Sequence, residues 1–553
     1  MIYAVVLSII VAVLLGTAIV RSLTVKNQAD FLVAGRKLTW PVLVFTLLSS
    51  WIGAGSLFAG GENAYKNGFS ALWQPAGGWF GLVLIAVIAG RVRRFAQFTV
   101  PDLLETRYNT GARVLATIAI VISYTVITSY QFKGGGDILH LIFPSLDHTT
   151  GMNIIAAFVI TFTALAGMAS VAYLDLIIGL LVTIIALISL PLLLTRTGGW
   201  PAVHAALPAD HFTVFGPLGW VHCLGYLLPT LLLLIGNQGM YQKFFSARSE
   251  RDARLAVFGW IAGTLVLETV IITIAVVGSA TLKTDHPREI IPLTARMRLP
   301  ELVGAILLGG VFAKVISTAN NYLFSPASNL IHDVYRRFID PQASERRTLV
   351  VSRVLVVALG AFALLQAAYF ESVLKAALYA YTVYGAAVTP SVMAVFFWKR
   401  ANKAGAISSI VLGTVITVAW QILDIQWLDA VYPALGVSVL ALIVVSLATA
   451  PPTRANLEPF EKCTSRLFRK NCKNKSWTGG CSSTIISAIR WHIACWAFSR
   501  HRMSRGAGIT GFRRRVSRAV WCIASSRAGW TRSLAKKSAT RAGASRPEGC
   551  ARW

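Results

Sequence analysis

Residues 39–65 read TWPVLVFTLLSSWIGAGSLFAGGENAY, an apolar run whose centre, from Ser49 to Ser56, is filled with serines and glycines. Residues 224–245, LGYLLPTLLLLIGNQGMYQKFF, repeat the pattern further along, with Pro229 and then a polar Gly-Asn-Gln-Gly stretch. Proline and clustered glycine both oppose a continuous helix. Unwound backbone at membrane depth frees amides and carbonyls, which is tolerable only around a ligand, an ion or water. Interrupted spans in corresponding positions of two halves point to an inverted-repeat transporter and to its binding site. Glycines in membrane helices also serve close helix packing. That plainer reading is preferred for GLVLIAVIAG (81–90) and ILLGGVF (306–312). In residues 39–65 the neighbours Ser49, Ser50 and Ser56 leave both readings open.

Outward from these segments the chain stays apolar, with 55% hydrophobic residues and a mean hydropathy of +0.62. Soluble domains do not have this composition. Thirteen spans are expected, centred near residues 12, 51, 82, 124, 160, 184, 228, 267, 311, 357, 386, 413 and 441. The fold class is therefore an all-α integral membrane protein of about thirteen transmembrane helices. With the amino terminus outside, 21 of the 30 Lys and Arg residues before position 451 fall in cytoplasmic loops. Eight fall outside, four of them in TLKTDHPREIIPLTARMRLP (281–300). The positive-inside rule selects this orientation, with the carboxyl terminus in the cytoplasm. The first run has no basic residue before it and Arg21 after it, as in a retained span.

The formal charge of +29 is unevenly spread. Residues 1–450 carry 30 basic and 20 acidic side chains, and residues 451–553 carry 22 and 3. Two regions follow, a membrane domain over 1–451 and a basic tail over 452–553. The tail holds Cys463, Cys472, Cys481, Cys495, Cys522 and Cys550 without a CxxC pair or a histidine at ligand spacing, which argues against zinc. Three readings of it stand: a disordered extension touching anionic lipid, a nucleic-acid-binding arm, or out-of-frame translation. No nucleic-acid-binding module is visible. Runs such as GFRRRVSRAVWCIASSRAGWTRS (511–533), rich in Arg, Ser, Trp and Cys and poor in acids, favour a frameshifted end beginning after Glu461.

The segment ELVGAILLGGVFAKVISTANNYLF (301–324) sets a lysine, Lys314, at membrane depth, and Ser317 and Thr318 follow it on the same helix face. A charge there costs roughly 2.5–3.5 kcal/mol on insertion scales, so it persists where it meets a partner, an ion or a cavity. Paired hydroxyls and freed carbonyls suit a hard cation such as sodium. Hydroxyls bonding back to the preceding turn are the plainer account of Ser317 and Thr318.

Six blocks together resemble the sodium:solute symporter family: ADFLVAGRKLTW (29–40), SSWIGAGSLFAGGENAYKNGFSALW (49–73), RRFAQFTVPDLLETRYN (93–109), MASVAYLDLIIGLL (168–181), GNQGMYQKFFSARSERDARLA (236–256) and VISTANNYLFSPASNLIHDVYRRF (315–338). The resemblance covers residues 20–450 and excludes the tail. It implies a leucine-transporter-like core in which spans two to six and seven to eleven form inverted repeats. It also implies alternating access, with sodium as the coupling ion and no other cofactor. By position it implies a sodium site built from the carbonyls of Ser49, Ile52 and Lys314 and the hydroxyls of Ser317 and Thr318. Family members with sodium bound usually carry a small residue at position 314, so Lys314 is a departure. Its amine either snorkels away or points inward and pairs with Asp175.

The resemblance links Asp175 to cation coupling; a wetted position at the cytoplasmic end of the sixth span is the alternative. Solute contacts are implied at Ser56, Gln74 and Asn237, for which helix-to-helix hydrogen bonding is the plainer role. Glu62 and Lys66, four apart, read as an external surface pair. Trp51 stands where proline transporters of the family carry an acid, so proline is not favoured. The partners expected are a small polar organic solute, sodium and the lipid bilayer of an inner membrane. A membrane sensory domain is the alternative, but residues 451–553 contain no recognisable output domain. An enzyme is disfavoured by the lack of HExxH, GxSxG and P-loop motifs.

Overall fold

The computed structural model describes residues 1–22, 36–95, 99–165, 168–370 and 372–460. Among the described residues the chain is helical, and its only β-type pairing is an isolated bridge between Leu38 and Ala247. Eleven helical segments are long and apolar enough to cross a membrane. Two shorter apolar helices, within Ile2–Ser22 and Trp40–Trp51, precede or interrupt them. Each of the thirteen centres read from the sequence falls within one of these helices. The chain is a multi-pass membrane protein. Its outer faces carry exposed Phe80, Val83 and Val87 and exposed Val350, Val354 and Val357, the pattern expected of helices solvated by lipid rather than water.

The second span is broken where its composition requires. Trp40–Trp51 opens with Pro41 in the first turn, where a missing N–H costs nothing. It ends at Ile52, whose extended backbone (φ −85°, ψ 100°) leaves the helix. A wide turn over Gly55–Ala59 then leads into the helix Gly60–Asn67. Gly53 lies at the break because a Cβ there would fall 2.5 Å from Thr318 Oγ1.

The seventh span breaks in the same way. Gly219–Gly236 stops at Asn237 (φ −53°, ψ 112°), and Gln238–Ser246 continues. Carbonyls at and just before the break accept from the eleventh span, Val373–Ala387 with Thr389–Phe397. Tyr384 donates to Gly236 O at 2.6 Å and Thr389 to Leu232 O at 2.7 Å. Both breaks are buried inside protein, as membrane-depth backbone must be.

Two further helices complete the frame of the site. The ninth span, Glu301–Asn329, runs unbroken past the first break, and the sixth, Met168–Arg196, brings Asp175 beside it. The short helix Val100–Arg107 is held by a buried ion cluster in which Arg113 pairs with Asp102, Glu105 and Asp333. Asn456 donates to the carbonyls of Arg107 and Tyr108 at 3.0 and 3.2 Å, so packing on the membrane part continues past the expected limit at residue 451. The tail readings concern residues 461–553, which lie outside the described residues.

Candidate functional site

The break in the second span faces the ninth. Thr318 Oγ1 lies 3.1 Å from Ser49 O and 3.4 Å from Ile52 O, so two freed carbonyls converge on one hydroxyl. Ser49 Oγ and Ser317 Oγ are 3.2 Å apart. Ser49, Ile52, Ser317 and Thr318 are all buried. Neutral oxygens gathered away from bulk water are the donor type that a hard monovalent cation takes. Back-bonding to the preceding turn does not describe either hydroxyl, because Ser317 and Thr318 both reach across to other helices.

Asp175 is fully buried and not wetted at a helix end. It accepts from Thr46 Oγ1 at 2.5 Å and from Ser317 Oγ, which joins it directly to the oxygen cluster. Its basic partner is Lys243, at 3.7 Å. Lys243 Nζ also donates to Thr46 O at 2.8 Å and to Ser50 Oγ. The pairing of Lys314 with Asp175 considered from the sequence is therefore not formed, because Lys243 occupies that role from the seventh span. Lys314 has not snorkelled away either: it is fully buried, and its amine has no hydrogen-bond partner. A small cavity beside Asp175 and Ser317 is also lined by Asn320, whose two polar side-chain atoms are buried and unpartnered.

Ser56 and Gln74 meet in a separate narrow cavity between the first break and spans three, seven, eight and eleven. Glu268, Trp51, Thr230 and Tyr381 complete its polar and aromatic lining. Gln74 Oε1 is buried without a partner. Asn237 does not join them. Its Oδ1 accepts from Tyr124 at 3.0 Å and from Met240 N at 3.2 Å, and its Nδ2 donates to Tyr322 at 3.1 Å. These bonds cap the second half of the broken seventh span, and Asn237 lines a different small cavity, shared with Ser50, Lys243 and Asn321. Glu62 and Lys66 pair at 2.8 Å as expected. Only Lys66 is exposed, however, and Glu62 is turned inward, accepting from Ser372 at 3.0 Å and Leu374 N at 3.4 Å.

With this geometry in place, a family model described as the sodium:solute symporter family matches residues 31–413. The chain belongs to the sodium:solute symporter family. A sodium/proline symporter of Staphylococcus aureus is 26% identical over 456 residues, covering 77% of this chain and 88% of that protein. Among solved structures, a substrate-bound, outward-open sodium-coupled sialic acid symporter has a TM-score of 0.73 at 17% identity, covering 82% of this chain and 98% of that one. A nucleobase-cation-symport-1 family transporter in a closed conformation has a TM-score of 0.53 at 13% identity, covering 79% and 99%. At these identities the likeness of structure is one of fold. As a sodium:solute symporter the protein is a secondary transporter in which sodium drives solute uptake.

Two residues central to the symporter's geometry were passed over in the sequence. Lys243 stands near the end of the interrupted segment 224–245, where a single lysine after a polar stretch reads as the flank of a span. Glu268 lies in TLVLETVIITIAVVGSA, close to the centre of the eighth span. The rule that singled out Lys314 and Asp175, an ionisable group at membrane depth, applies equally to it.

Proposed function

We propose that the symporter takes up a small polar organic solute by alternating access, with sodium entering among the carbonyls of Ser49 and Ile52 and the hydroxyls of Ser317 and Thr318. The observation that carries this reading is the convergence of Ser49 O and Ile52 O on Thr318 Oγ1, because those carbonyls are free only where the second span unwinds. Lys314 contributes its backbone carbonyl, and Asp175 transmits occupancy to the sixth span through Ser317. The solute rests against Ser56 and Gln74. In this reading the amino terminus is outside an inner membrane, spans two to six and seven to eleven are the repeats, and residues beyond 460 take no part.

The unpartnered amine of Lys314 adds a second element to this reading. Asp175 already has Lys243 beside it, so an ammonium on Lys314 together with sodium would leave excess positive charge in a buried place. Lys314 and sodium therefore compete, and protons weaken sodium binding. Uptake measured against sodium and pH decides the matter. The parent should need less sodium as pH rises, and Lys314→Ala should need less throughout and lose the pH dependence. Identical curves for parent and variant would remove the amine from the site. A parent indifferent to sodium, with a variant that acquires a requirement for it, would mean that the ammonium replaces the ion altogether.

A further inference from the structure

Glu268 is a carboxylate buried in the middle of the eighth span, and it lines the cavity that holds Ser56 and Gln74. Its partners are Trp51 Nε1 at 3.0 Å and Ser56 Oγ at 3.2 Å on one oxygen, and Trp79 Nε1 at 2.9 Å on the other. Three donors solvate the group and none neutralises it. Among the described residues no Lys, Arg or His pairs with Glu268, whereas Asp175, Asp137 and Asp333 each have a basic neighbour. An acid at membrane depth is retained where it meets a partner or an ion, and this one has no partner in the protein.

The other walls of the cavity point to the same kind of visitor. Trp51 and Tyr381 offer aromatic surface, which attracts organic cations. Gln74 Oε1, buried and unpaired, is a second acceptor in need of a donor. Little is offered to an anion. Near the break the amides of Ala54, Ser56 and Leu57 are already committed, to Gln131 Oε1 at 2.8 Å and to Gly53 O at 3.1 and 2.9 Å. A solute carboxylate in this space would stand near Glu268 without a basic side chain to offset it.

We infer that this cavity selects a small organic cation, a positively charged nitrogen beside the Glu268 carboxylate with a hydroxyl or N–H given to Gln74. The inference rests on the transport reading above and narrows its solute class. The cation supplies the charge that Glu268 lacks, and the two indole N–H groups hold the carboxylate in place when the cavity is empty. The coupling ion and the solute then occupy separate acidic sites, Asp175 for one and Glu268 for the other.

The test compares charged probes with neutral partners of the same shape, on the purified full chain by thermal shift and in proteoliposomes by uptake. The probes are choline against dimethylbutanol, ethanolamine against ethylene glycol, and proline as a zwitterion. At least one cation should half-saturate at a concentration about tenfold lower than its neutral partner, roughly 1.4 kcal/mol, and proline should not compete with it. Glu268→Gln should abolish that preference, and Glu268→Asp, which keeps the charge on a shorter arm, should retain it. Equal binding of neutral partners, a preference that survives Glu268→Gln, or no shift with any cation in well-folded protein would each overturn the proposal and leave Glu268 as an anchor for Trp51 and Trp79. If neither variant folds, the matched probes on the parent protein decide alone. Cation-selective binding without uptake would sink the transport reading and not this one; sodium-driven uptake of proline alone would do the reverse.

Discussion

Ser317 is the residue that joins the oxygen cluster at the first break to the sixth span, since its hydroxyl touches Asp175 on one side and Ser49 on the other. Replacing Ser317 and Thr318 together by alanine removes two oxygens from the proposed sodium site. Bonds between polar groups and charges contribute about 1.5–3 kcal/mol each, so the sodium concentration for half-maximal uptake should rise roughly tenfold or more. Unchanged sodium dependence in a properly inserted double variant would remove both residues from the site. Lys243 is the residue that sequence reading lacked. Its amine reaches back from the second half of the seventh span to Thr46 and Asp175, a contact between positions about seventy and two hundred residues apart that no local pattern encodes.

At the level of the element, the broken helices depend on glycines for two different reasons, and substitution separates them. At Gly53 an added methyl would meet Thr318 Oγ1 and Cγ2 at 2.5 and 2.6 Å. Gly53→Ala should displace the ninth-span hydroxyl and weaken sodium dependence while the protein still folds. At Gly77 a Cβ would fall 2.1 Å from Leu227 O, where the third and seventh spans cross backbone to backbone. Gly77→Ala should lower thermal stability, by about 1–3 kcal/mol if it behaves as ordinary overpacking. Gly436, with nothing within 4 Å of its Cβ position, is the control and should melt as the parent does. A Gly77→Ala protein as stable as Gly436→Ala would show that this crossing yields easily.

For the whole molecule, the site is assembled entirely from residues before 330 and from the eleventh span, so removing everything after residue 460 should leave insertion and uptake intact. A truncated protein that inserts normally but transports at a small fraction of the parent rate would show that the tail matters. A second prediction concerns the connections between helices. Arg288 pairs with Asp137 at 2.7 Å, and His148 meets the same carboxylate at 2.8 Å. Beside them burial, with the Asp137 charge next, pushes Glu289 up to about 7, and Arg288, His148 and His140 only partly oppose this. A carboxyl with a raised value holds its proton more tightly in the folded state. Its contribution is favourable at low pH and is lost as pH rises from about 4.5 to about 7. Melting temperature should therefore fall over that interval, and Glu289→Gln should flatten the fall. A variant whose melting curve tracks the parent at every pH would assign the dependence to other groups.

Membrane class, the positions of the apolar helices, the two interruptions and the pairing of Ser49 and Ile52 with Ser317 and Thr318 were legible in the chain itself, the last of these through family resemblance. The physical reason is that lipid imposes its demands locally. About twenty apolar residues are needed wherever the chain crosses, and a glycine-rich, polar interruption is permitted only where something will satisfy the backbone. Partnership among buried charges was not legible. Asp175 and Lys314 stood out as isolated charges at depth, yet whether each is paired depends on which helices pack side by side. The tertiary structure brought Lys243 to Asp175, left the Lys314 amine without a hydrogen-bond partner, turned Asn237 into a cap and set Glu268 at the wall of the cavity that holds Ser56 and Gln74. Composition and periodicity act along the chain. Electrostatic compensation acts across space, and only the packed arrangement of the helices decides it.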